Sequence, residues 1–148
     1  MKIYIASDHA GFLVKEQIKI FLENAGHEVL DQGPADESRV NYPDFASAVC
    51  QKLQGDQAAR GILICGSGIG MSIAANRYSF IRAALCRTLE EAELSREHND
   101  ANVLCLGART TDAGLLLQIT QKWLKVEFAD GRHGERIALF NSLGENRS

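Results

Sequence analysis

Gly-Ile-Leu-Ile-Cys-Gly-Ser-Gly-Ile-Gly, residues 61–70, is the stretch that decides the fold. Its apolar run Ile62-Leu63-Ile64 has the unbroken hydrophobic character of a parallel strand buried on both faces. The run leads into Cys65 and then into a loop with glycine at 66, 68 and 70. Met71-Ser72-Ile73-Ala74-Ala75-Asn76-Arg77 follows and predicts a helix over 71–77. A strand, a glycine loop and a helix start together make a place for an anion. The loop N–H groups point outward, and glycine lets the backbone come close to a ligand. A thiol stands at the mouth of that place, and a cysteine beside a helix N-terminus is a candidate base or nucleophile.

Outward from this segment, strand and helix signals alternate. Residues 2–6 are an apolar strand, and 11–25 carry Val14, Ile18, Phe21, Leu22 and Ala25 on one helical stripe that ends at Gly26. Residues 27–30 are a short second strand, followed by a polar loop over 32–40. Pro43, in a first turn, starts a helix with Phe45, Ala46, Val49, Cys50 and Leu53 facing inward. Residues 81–86 form a fourth strand. Thr88 caps an acidic-start helix that runs to 97, with Glu91 as its capping-box partner. Residues 102–106 are a fifth strand ending at Gly107, and Thr111 with Asp112 opens a long helix through Trp123 to Val126. A last helix covers about 134–143, and the tail 144–148 is expected to fray. The fold class is therefore α/β: a three-layer α/β/α sandwich on a five-stranded parallel sheet, Rossmann-like, forming a single domain over 1–148.

Composition narrows the function classes. The 148 residues fit one domain with a sizeable core, and the net charge of −3 comes with no basic run or basic aromatic stripe, which argues against nucleic acid as a partner. No apolar stretch approaches the roughly 20 residues of a membrane span, and the N-terminus reads as a strand, not as a signal peptide. A cytoplasmic location follows as the default. Cys50, Cys65, Cys86 and Cys105 show neither C-x-x-C pairing nor zinc spacing with histidine. Cys50, Cys86 and Cys105 read as small buried hydrophobes, whereas the loop sets Cys65 apart.

In parallel α/β sheets ligands bind at the carboxyl ends of the strands. The residues there are Ser7-Asp8-His9, Cys65-Gly66-Ser67 and Gly107-Ala108-Arg109, and they are expected to converge. Asp8 has an ordinary alternative as a helix N-cap, and His9 as a loop residue. His98, in Glu97-His98-Asn99-Asp100, has the alternative of a helix C-terminal histidine interacting with the helix dipole. Its loop enters a strand, so a simple parallel sheet puts it at the edge opposite Cys65. It reaches the Cys65 site only from a second subunit or through an extended helix. Arg132 and Arg136, four apart at a helix start, share one face and can grip a phosphate, or form a solvated charge pair with Glu135. His27 reads as a surface residue without a role.

Taken together, the segments Ser7-Asp8-His9-Ala10-Gly11, Tyr42-Pro43-Asp44, Ile64 to Asn76, His98-Asn99-Asp100 and Gly131-Arg132-His133 with Arg136 resemble the ribose-5-phosphate isomerase B family, which includes allose- and galactose-6-phosphate isomerases. The resemblance spans nearly the whole chain. It implies interconversion of D-ribose 5-phosphate and D-ribulose 5-phosphate in the pentose phosphate pathway, through an enediolate and without metal or organic cofactor. By position, Cys65 is the implied base, and the amides of Gly66, Ser67, Gly68, Ile69 and Gly70 hold the enediolate oxygen, with the Ser67 side chain beside it. His98 opens the furanose ring with Asp8. His9, Arg109, Arg132 and Arg136 bind phosphate, and Asn99 binds a sugar hydroxyl. The implied assembly is a homodimer, or a tetramer, whose active sites are shared between subunits and whose C-terminal helix packs at the interface.

Two positions mark variation within that family. One branch replaces the cysteine by a glutamate at the position of Met71; here the cysteine is present and Met71 cannot be a base. Asn41 precedes Tyr42-Pro43 where aspartate is more usual. Three rivals stand beside the pentose isomerase: a six-carbon sugar-phosphate isomerase, a non-catalytic sugar-phosphate sensor on the same fold, and a thiol hydrolase with Cys65 as nucleophile.

Overall fold

The computed structural model describes residues 1–144. Five strands, β1 (Lys2–Ser7), β2 (Glu28–Asp31), β3 (Arg60–Cys65), β4 (Ala83–Leu85) and β5 (Val103–Gly107), form one parallel sheet in the order β2-β1-β3-β5-β4. The helices are α1 (Phe12–Asn24), α2 (Tyr42–Gly55), α3 (Ile69–Ala75), α4 (Leu89–Glu97), α5 (Ala113–Lys125) and α6 (Arg132–Ala138), with a 3-10 turn at Leu139–Ser142.

The period-2 alternation of strand side chains divides the core into two layers. Ile3, Ile5, Ile62, Ile64, Leu104 and Leu106 meet α1, α4 and α5 through Ile18, Leu22, Ala92, Leu116, Ile119 and Trp123. Tyr4, Ala6, Leu63, Cys65, Val103 and Cys105 meet α2 and α3 on the other face through Val49, Cys50, Leu53, Met71 and Ala75. This is the expected three-layer sandwich. Its helices are held by apolar spacing more than by caps; the two exceptions start at Thr88, whose Oγ1 accepts from the Glu91 N–H at 3.0 Å, and at Asp112, which accepts from Leu115 N–H at 3.2 Å. The Glu91 carboxylate reaches back one residue further than a capping box requires, to the Arg87 N–H at 2.6 Å.

Boundaries differ from the sequence reading where side chains or glycine intervene. The fourth strand is shorter than 81–86 because the Asn102 side chain, not a neighbouring strand, accepts the Arg82 N–H at 2.8 Å. The third helix begins at Ile69, two residues earlier than predicted, because Gly68 (φ 76°) turns the chain into it. The C-terminal helix begins at Arg132 and gives way to the 3-10 turn after Ala138, and neither piece contains a buried residue. Of the tail expected to fray, 145–148 lie outside the described residues.

One internal charge was not legible as such. Lys15 of α1 is fully buried, and its Nζ donates to Asp31 Oδ2 at 2.6 Å and to the Pro34 carbonyl at 2.9 Å. It ties α1 to the end of β2 and the loop beyond.

Candidate active site

From β1 the chain moves outward to β2, and from β3 it moves the opposite way toward β4. The strand order reverses between β1 and β3, and such a switch point opens a crevice at the carboxyl ends of the two strands. Asp8 follows β1 and Cys65 ends β3. β5 flanks β3 on the other side, with Cys65 paired to Gly107 in register. A cavity of about 680 Å³ opens there, lined among others by Asp8, Cys65, Gly66, Ser67, Ile69, Gly70 and Arg109. The expected convergence of the three strand ends is present.

Each of these side chains is positioned by local bonding. Cys65 is only 5% exposed, and its Sγ accepts the Gly68 N–H at 3.1 Å. Ser67 Oγ accepts the Ile69 N–H at 3.3 Å. A side chain at position 68 is excluded twice, by the left-handed φ and because a Cβ would lie 2.5 Å from Leu85 Cδ1 and 2.9 Å from the Leu106 carbonyl carbon. Gly70 fits closely for another reason: a Cβ there would stand 2.6 Å from the Tyr42 ring. Asp8 does not cap α1, whose N-cap is Gly11. Its Oδ1 accepts the Gly11 N–H at 3.0 Å and closes the turn between strand and helix. His9 Nδ1 accepts the Val40 N–H at 3.3 Å, which leaves Nε2 as the nitrogen able to donate. The Arg109 backbone is fixed by its N–H to Gly66 O at 2.9 Å, and its exposed side chain lines the cavity.

The remaining expected site residues lie elsewhere. His98 is the C-cap of α4, followed by Asn99, at the amino-end edge of the sheet. Its ring stacks on His133, with centroids 4.2 Å apart and planes at 11°, so α6 with Arg132 and Arg136 gathers there too. Desolvation, then the charges of His98, Arg132 and Arg136, holds His133 below the ordinary imidazole range. Within one chain these residues thus form two separate groups: Asp8, Cys65, Ser67 and Arg109 at one edge, and His98, Asn99, Arg132 and Arg136 at the other. Tyr42, Ile73 and Thr110 also line the cavity, and sequence reasoning gave them no role. The only signal for Tyr42 was its place before Pro43, which fixes the start of α2. Met71 is fully buried in the core. Asn41 is the N-cap of α2 without a side-chain cap bond. His27 is partly buried, with Nδ1 unpartnered among the described residues.

Three of the four thiols are inert by position. Burial pushes Cys50 up to about 12, Cys86 up to about 11 and Cys105 well above the usual range. Iodoacetamide at mildly alkaline pH is therefore expected to alkylate Cys65 alone in the native protein and all four cysteines in urea. Peptide mass mapping reads the result, and early labelling of Cys50 or Cys105 would contradict it. Among the described residues, no group of three or more His, Cys, Asp or Glu could hold a metal ion, and no helix is long and apolar enough to cross a membrane.

Known proteins are similar to this chain across nearly their whole length. Ribose-5-phosphate isomerase B of Escherichia coli is 40% identical over 147 residues, covering 99% of each chain. The structure of ribose 5-phosphate isomerase B from Thermotoga maritima superimposes with a TM-score of 0.93 at 48% identity, covering 96% of this chain and 98% of that one. The ribose-5-phosphate isomerase B of Mycoplasma genitalium, solved with ribulose-5-phosphate bound, gives a TM-score of 0.92 at 38% identity, over 95% of this chain and 94% of that one. Residues 3–140 match the model of the ribose/galactose isomerase family. The chain belongs to the ribose/galactose isomerase family and is, with it, an isomerase.

Proposed function

We propose that the chain interconverts D-ribose 5-phosphate and D-ribulose 5-phosphate through an enediolate, as a step of the pentose phosphate pathway, with Cys65 as the base. The observation that carries this reading is the placement of Cys65: a thiol at the switch point, held by the Gly68 amide and facing a cavity it shares with Asp8, Ser67 and Arg109. In the open-chain aldose the Cys65 thiolate takes the proton from C2. The C2–H electron pair becomes the C1–C2 double bond, and negative charge moves to the oxygen of C1. The same sulfur then returns the proton to C1, while the C2 hydroxyl passes its own proton to the oxygen of C1, which becomes a hydroxyl, and C2 becomes the ketone. A base and a stabilised oxyanion are what this chemistry needs. The Gly68 and Ile69 amides are engaged by Cys65 and Ser67, so the amides of Gly66, Ser67 and Gly70 are the ones assigned to the oxyanion.

The proposed assembly is a homodimer in which each active site takes Asp8, His9, Cys65, Ser67 and Arg109 from one chain. The second chain supplies His98, Asn99, Arg132 and Arg136. His98 opens the furanose ring with Asp8, Asn99 binds a sugar hydroxyl, and the histidine and arginines hold the phosphate. The separation of the two groups within one chain supports this, as does the exposed apolar pair Ile69 (49%) and Ile73 (63%) on α3 beside the cavity. The C-terminal helix, without a buried residue of its own, is assigned to the interface. A cytoplasmic location belongs to the same reading, because a base thiol must stay reduced.

Mixed dimers test both halves. Cys65→Ala and His98→Ala are each expected to be nearly inactive on ribose 5-phosphate. Dissociated together and re-associated, they are expected to recover about a quarter of wild-type activity, since about half the pairs are mixed and one of the two sites in each is intact. No recovery would overturn the shared site. Recovery on allose 6-phosphate alone would keep the mechanism and change the sugar.

A further inference from the structure

At the edge of the sheet opposite Cys65, by the amino ends of β3 and β5, lies a second hollow of about 380 Å³. Arg60, Arg82 and Asn102 line it, with Phe80 and Phe140 as apolar walls. Three arginines here face one carboxylate. Asp100 Oδ1 accepts from Arg96 Nη1 at 2.7 Å and Oδ2 from Arg82 Nη2 at 2.9 Å, so both oxygens are engaged. Arg60 has no ion-pair partner among the described residues, and its hydrogen bond to the adjacent Ala59 carbonyl is long, at 3.4 Å. It is half-buried, and desolvation, with Arg96 and Arg82 nearby, pushes its guanidinium below the ordinary arginine value.

We propose that this hollow is a second, non-catalytic site for a small phosphorylated metabolite, its phosphate gripped by Arg60 and Arg82 and its body set against Phe80 and Phe140. A half-buried guanidinium without a counter-charge is unfavourable, and a bound anion removes that penalty. Arg60, free of an acid among the described residues, can meet phosphate oxygens in pairs with its planar fork, while Arg82, whose Nε and Nη2 are engaged, offers its Nη1. Arg82 is already oriented: its Nε donates to the carbonyls of Asn99 at 3.1 Å and Asp100 at 2.9 Å, so little freedom is lost on binding. The volume suits a small ligand. A nucleic acid strand does not suit it, since the chain is acidic overall and carries no basic run.

Titration of inorganic phosphate into protein labelled with ¹⁵N-arginine, followed through the guanidinium Nε–H resonances, tests the site. The Arg60 and Arg82 signals are expected to shift along a saturable curve. In Arg60→Gln the Arg82 response should require about tenfold more phosphate or beyond, while the isomerisation rate is unchanged. Arg60→Lys should recover part of the affinity. Signals of Arg60 and Arg82 that stay still, or drift without saturation as those of exposed Arg39 and Arg87 do, would overturn the proposal. So would an Arg60→Gln protein that titrates like wild type. Because the isomerase assay is read separately, failure here leaves the catalytic reading untouched.

Discussion

Cys65→Ala is expected to lower kcat on ribose 5-phosphate about a thousandfold, with little change in KM and an unchanged far-UV spectrum. The magnitude is that of a general base removed from a site whose binding groups remain. In the proposed complex the phosphate contacts of Arg109 and His9 do not pass through the sulfur, so binding should survive. The sulfur itself makes one polar contact, from Gly68 N–H, and alanine fills most of the same small volume beside Leu63 and Met71. A second readout isolates the chemical step. Substrate deuterated at C2 is expected to exchange its label with solvent in wild type and to keep it in Cys65→Ala; loss of the label in the variant would point to another base, such as the Asp8 carboxylate in the same cavity. A variant that retained a tenth of the activity would assign the base elsewhere.

Asp31→Asn is expected to cost about 3 kcal/mol, seen as a fall in Tm of roughly 10 °C, because it leaves the Lys15 ammonium buried without its nearest counter-charge. The lower end of the range for a broken buried pair applies here. The Asp31 side chain is 24% exposed, and Lys15 keeps the Pro34 carbonyl and Glu16 Oε1 at 3.1 Å. Lys15→Met in the Asp31→Asn background should recover most of the loss, which a purely local effect of asparagine at β2 would not allow. The pair also sets the acid limit. Burial alone would raise the Asp31 carboxyl; hydrogen bonds from Lys15, Lys19 and the Gly33 amide outweigh it and hold the group below its usual value of 3.8. A carboxyl with a depressed folded-state pKa stabilises fully above its unfolded value and loses that contribution as pH falls through the folded one. Wild-type stability should therefore decline below about pH 4, with Asp31→Asn losing less over the same interval.

Much of the site was legible because periodicity and glycine placement report directly on backbone geometry. The run 61–65 and the three glycines after it predicted a strand, a tight loop and a helix, and the structure has them in place. Asp8, Cys65 and Arg109 were predictable as neighbours because parallel strands end at a common edge. Lys15 was not legible. A lysine on a helix reads as solvent-facing, and only the return of the chain at Asp31 and Pro34 makes its burial tolerable. Nor did the sequence show that the amides of Gly68 and Ile69 turn inward to Cys65 and Ser67; that depends on the local backbone path into and out of the left-handed Gly68. Tyr42 escaped because its tie to the loop runs through van der Waals contact with Gly70, which leaves no pattern of spacing.

The alternation of β3 has a consequence for how this enzyme can change over time. Leu63 and Cys65 face one layer, Ile62 and Ile64 the other. Deleting or inserting one codon anywhere in 60–64 would rotate the thiol through the sheet, out of the crevice and into the layer occupied by Trp123, while sending an isoleucine to the crevice. Length drift in this strand is thus closed to the lineage even where side-chain identity is free, and diversity is expected to accumulate in the polar loop over 32–40 and at the C-terminus instead.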